Sequence, residues 1–94
     1  MDLKTFKDTL KHAEAPEGLS NLLTALWLVE KGMWHEAHRI IQDDNSIDGA
    51  WVHAYLHRVE GDEGNASYWY GRAGRIKPDI SLSSEWNEIV KALL

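Results

Sequence analysis

His53 and His57 stand four residues apart in a stretch of helical periodicity, so both imidazoles lie on one helix face. That is the spacing at which a helix offers two nitrogens to a single metal ion. Glu60 follows His57 by three residues and joins the same face, and His38 lies on the inward side of the preceding helix. If those two helices pack together, His38, His53, His57 and Glu60 converge as a donor set for a divalent transition metal, in a metal-binding protein or a metal-dependent enzyme. The competing account is an internal hydrogen-bond network, because buried polar groups are normally paired. If His53 and His57 are buried and neutral, acidification through about pH 6.5 should destabilise the fold.

Other catalytic patterns fail on spacing. His35-Glu36-Ala37-His38 brings its second histidine one residue too early for a metalloprotease helix, so its rings diverge. No Glu-x-x-His pair of the di-iron type and no Gly-x-Ser-x-Gly elbow occurs. Gly71-Arg72-Ala73-Gly74 follows no strand and lacks the lysine of a phosphate loop. No catalytic residue is assigned. A second constellation suits recognition. Arg58, Glu60, Asp62 and Asn65 surround one turn, where they either cap it or form a polar rim for a carboxylate or peptide end, with Arg58 or Arg72 as the bidentate donor. Tyr55, Tyr68 and Tyr70 with Trp51 and Trp69 either belong to the core or line a ligand groove. The candidate binding set is therefore His53, His57, Arg58, Glu60, Tyr68, Trp69 and Arg72.

Helices must position these residues. The pattern predicts an all-α protein of about six helices and no strand, in a single domain over 1–94. An N-terminal helix covers 1–13, two helical hairpins cover 19–76 and a last helix covers 81–94. The helix ending at Lys31 is apolar nearly all round and is expected at the centre. The next helix should run from Trp34 to about Asp44. Asp48 is a plausible N-cap for a helix over Gly49–Glu60, and the fifth helix should reach Arg75 with Ala66, Trp69, Tyr70, Ala73 and Ile76 inward. Sliding the chain by 29 residues brings Gly61 onto Gly32, Ala66 onto Ala37 and Ala54 onto Ala25. Short glycine turns at that offset make antiparallel neighbours, and the alanines let paired backbones approach.

Gly61, Ala66, Tyr70, Ala73 and Pro78 carry a resemblance to the tetratricopeptide hairpin, which implies a right-handed stack of antiparallel helical hairpins. The segments Trp34-His35-Glu36-Ala37-His38, Trp51-Val52-His53-Ala54-Tyr55-Leu56-His57-Arg58 and Tyr68-Trp69-Tyr70 also resemble a family of small, mostly bacterial helical proteins to which no activity is attached.

Composition narrows the partners. The net charge of −5 disfavours a nucleic-acid backbone, and the longest apolar run, Ala25–Val29, is far short of the ~20 residues that cross a bilayer. Without cysteine there are no disulfides and no thiolate metal sites. The charged N-terminus lacks a signal peptide's apolar stretch, which predicts a cytoplasmic location. The leading expectation is a non-enzymatic interaction module without a cofactor, binding a protein or peptide or forming a homo-oligomer. The metal-binding protein or enzyme is the alternative.

Overall fold

Serine and aspartate start five of the six helices. In the computed structural model, which describes residues 1–94, α1 spans Leu3–Asp8, α2 Asn21–Glu30, α3 Trp34–Ile41, α4 Ile47–Glu60, α5 Glu63–Arg72 and α6 Leu82–Leu93. The side chains of Asp2, Ser20, Ser46, Asp62 and Ser81 each accept a hydrogen bond from the backbone N–H three residues on, satisfying donors that the first turn leaves free. The protein is all-helical, as the periodicity predicts, and no helix is long and apolar enough to cross a membrane.

Several boundaries differ from expectation. The N-terminal helix stops at Asp8 and continues as a 3₁₀ turn over Thr9–Lys11, where the Thr9 hydroxyl donates to Phe6 O and accepts from the Trp27 indole. Ser46 rather than Asp48 caps α4, which leaves Asp48 in the first turn, where its charge complements the helix dipole. α3 ends at Ile41 and α5 at Arg72. Ile76 therefore never reaches the inward face: Gly74 turns the chain at φ 69° and Ile76 is 92% exposed.

The centre is α4, not α2. Every residue from Gly49 to His57 is buried, because α4 packs against α2, α3, α5 and α6. α2 pairs chiefly with α3, and α5 with α4. Ala25, Ala37, Ala54 and Ala66 are all buried in these helices. α6 packs on α1, α2 and α4, and the Trp86 indole donates to Leu26 O at 2.8 Å.

Candidate functional site

Two helices bring three imidazoles together. α3 carries Trp34 and His38 one turn apart, and the Trp34 indole is anchored by donation to Leu56 O on α4 at 2.6 Å. That anchor holds His38 against α4, where its Nε2 lies 3.0 Å from His53 Nε2. His57, one turn further along α4, is stacked with His53 at 5.0 Å and meets His38 edge-on at 5.4 Å between centroids. One ring nitrogen of each histidine lies within 4.8 Å of the other two.

Tryptophans close both ends of the cluster. Trp34 stacks on His38 at 5.0 Å and 11°, and Trp69 of α5 stacks on His53 at 3.8 Å and 12°. Glu60 Oε1 lies 2.8 Å from His57 Nδ1. A carboxylate only accepts, so Nδ1 carries the hydrogen in that pair, and in a neutral His57 ring Nε2 is left bare. His53 is nearly enclosed. Its Nδ1 is buried with no partner, and its Nε2 meets only another imidazole. Burial, then the charges of His38 and His57, press the His53 pKa down to about 4. Burial, then His57, also lowers that of His38. Both rings are thus neutral at pH 7. The hydrogen between the two Nε2 atoms is then best placed on His53, because the reverse tautomer would bury an unsatisfied His53 Nδ1–H.

No family model matches this chain, and no curated protein or solved structure matches it significantly. What the site does must be read from its own residues.

The remaining candidates divide between surface and interior. Tyr68, Trp69 and Arg72 stand together on α5. The Arg72 guanidinium lies over the Tyr68 and Trp69 rings and donates to the Tyr68 hydroxyl at 3.0 Å. Arg58 instead turns inward, donating to Glu85 Oε1 at 2.9 Å and to Ile80 O. Asp62 caps α5 and accepts from the Asn65 backbone and side-chain amides, so its oxygens are already engaged.

Two features escaped sequence reasoning. One is Trp69 as the wall of His53; its helical spacing placed it inward, but not against that ring. The other is Glu85, 1% exposed, which accepts from Tyr70 at 2.7 and 2.8 Å, from the Trp51 indole at 3.2 Å and from Arg58. Its signal was present: Glu85 lies three residues after Leu82 and four before Ile89, on the apolar stripe of α6.

Proposed function

We propose that the protein is a non-enzymatic helical interaction module that engages a protein or peptide, a second copy of itself included, through the outward side of α5. The observation that carries this reading is the arrangement of Tyr68, Trp69 and Arg72, with one guanidinium laid over two rings. These residue types supply most of the binding energy at protein interfaces. Held in place by one another, they lose less freedom when a partner arrives. Tyr68 is 56% exposed, and Arg72, whose one side-chain partner is the Tyr68 hydroxyl, forms no ion pair with any carboxylate of this acidic chain, so its remaining N–H groups are open to a partner's.

Burial shapes the contact set. His53 and His57 lie beneath the surface and Arg58 is committed to Glu85, which leaves Glu60, Tyr68, Trp69 and Arg72 as the groups a macromolecule would touch. A tetratricopeptide-like stack is part of the proposal. The pairing of α2 with α3 and of α4 with α5, and the 29-residue offset of turn glycine and contact alanine, support it.

The test is a photo-crosslinking residue at position 68, compared with one at exposed Glu17, in native extract and with purified protein, alongside sedimentation equilibrium. The expected result is an adduct or a concentration-dependent dimer specific to position 68 and abolished by Tyr68→Ala with Arg72→Ala. A monomer at every concentration, with no adduct above the Glu17 control, would overturn the proposal.

A further inference from the structure

The three histidines form a cluster between α3 and α4 whose hydrogen-bonding capacity is not used up within the fold. Three imidazoles facing one another gain less from burial than aliphatic side chains of similar volume, and they leave hydrogen-bonding capacity unused. His53 is the clearest case: one nitrogen has no partner and the other meets only His38. A histidine kept for structure alone would spend its nitrogens on fixed donors and acceptors, as the Trp34, Trp51 and Trp86 indoles do.

We propose that His38, His53 and His57 bind one divalent transition-metal ion, with Glu60 orienting His57 from behind. The inference goes beyond the partner surface on α5 and does not depend on it. Zinc at 2.0–2.1 Å from its ligands in tetrahedral geometry sets neighbouring nitrogens about 3.4 Å apart. The His38–His53 pair, at 3.0 Å, is already near that separation. All three donors lie within 4.8 Å of one another, so the third has at most about 1.4 Å to close. The donor chemistry selects the class of ion. Imidazole suits zinc, copper(II), nickel(II) and iron, whereas magnesium and calcium need oxygen ligands that this cluster lacks.

Glu60 supplies the second, independent sign. A ligating histidine characteristically donates its other N–H to a carboxylate, which fixes its tautomer and raises its basicity. The His57 Nδ1–Glu60 Oε1 contact of 2.8 Å is that arrangement. Coordination through both Nε2 atoms displaces the hydrogen they share. It passes to His53 Nδ1, so a neutral cluster loads metal without a net loss of protons, and the metal–nitrogen bonds must offset the buried Nδ1–H that this tautomer leaves without a partner. The fourth position then falls to water or an exogenous donor, since three histidines are all the nitrogens the cluster offers.

The experiment uses tag-free protein stripped with chelator, then titrated with zinc, cobalt(II) and copper(II) by calorimetry, with elemental analysis after dialysis. One ion per chain is expected, with a raised thermal midpoint. His38→Gln changes the least buried of the three rings and should abolish binding while keeping the midpoint measured in chelator. Glu60→Gln should weaken binding by roughly 10–100-fold without abolishing it, which a merely structural glutamate would not do. Three results overturn the proposal: no ion bound, stoichiometric binding undiminished in His38→Gln, or binding lost only when exposed His12 and His35 are replaced. The crosslinking test at Tyr68, run in chelator, is untouched by any of these outcomes.

Discussion

His53 has its charge state set almost wholly by its surroundings, and this gives the metal-free protein a definite pH dependence. Its pKa falls from 6.5 to about 4 on folding, so the folded state holds the neutral ring while the unfolded chain begins to bind a proton near pH 6.5. Well above pH 6.5 neither state is protonated and stability is at its full value. As pH falls from 6.5 towards 4 the unfolded state gains protons that the folded state refuses, and stability declines. By pH 5 the loss is of the order of 2 kcal/mol from His53, with His38 adding in the same direction. For a domain of this size that corresponds to a fall of roughly 10 °C in thermal midpoint. Thermal unfolding in chelator between pH 7 and pH 5 checks it. His53→Gln should flatten the curve, and a wild-type midpoint that does not move would show that His53 is not held neutral. The pairing of His53 with His57 was legible in the sequence because a four-residue spacing fixes a shared face. His38 was legible once its helix was taken to pack on theirs. The stacking of Trp69 on His53 was not, because it depends on how α5 crosses α4, which no spacing within either helix encodes.

The turns after α2, α4 and α5 are three copies of one device. Gly32, Gly61 and Gly74 each take a positive φ, and the residue after each donates back five positions, Met33 to Leu28, Asp62 to His57 and Arg75 to Tyr70. This is the Schellman closure, and it satisfies carbonyls that the last turn leaves free. The glycines marked two of these ends correctly from sequence. The third was set too late, at Arg75, because Tyr70, Ala73 and Ile76 continue a helical spacing past the point where Gly74 leaves the helix. The short α1 was illegible for a related reason: Leu3, Phe6 and Leu10 fit one stripe, yet Thr9 is drawn out by its bonds to Phe6 O and the Trp27 indole. Gly61 isolates the backbone contribution. A Cβ there would meet nothing within 4 Å, so the cost of substitution is conformational and not steric. Gly61→Ala should lower stability by roughly 1–2 kcal/mol in urea denaturation. Gly61→Asn should cost clearly less, because asparagine tolerates the left-handed region. Equal losses for the two would mean that something other than φ makes glycine necessary there.

At the scale of the whole molecule, α6 is fastened to the rest by one buried carboxylate. Glu85 accepts from Tyr70 on α5 and from Trp51 and Arg58 on α4, while Arg58 also bonds Ile80 O just before α6 begins. Burial, with Glu85 bonded to its hydroxyl, raises the Tyr70 pKa, so Tyr70 stays a neutral donor through the physiological range. None of this connectivity was readable. Glu85 lies 27 residues from Arg58 and 34 from Trp51, and a charge on an apolar stripe announces burial without naming what neutralises it. The network differs in kind from the histidine cluster, for every Glu85 contact is spent inside the fold. Its removal therefore reads out stability alone. Glu85→Ala strands a guanidinium whose side chain is 14% exposed, along with the Tyr70 hydroxyl and the Trp51 indole, and should cost about 3–5 kcal/mol. Replacing both charges together, Arg58→Met with Glu85→Leu, removes the unpaired cation and should recover much of that loss. Denaturant titration of Arg58→Met, Glu85→Leu and the double variant gives the coupling directly. If the double variant is as damaged as the sum of the singles, the pair does not act as a unit, and α6 is held by the apolar contacts of Trp86, Ile89 and Val90 instead.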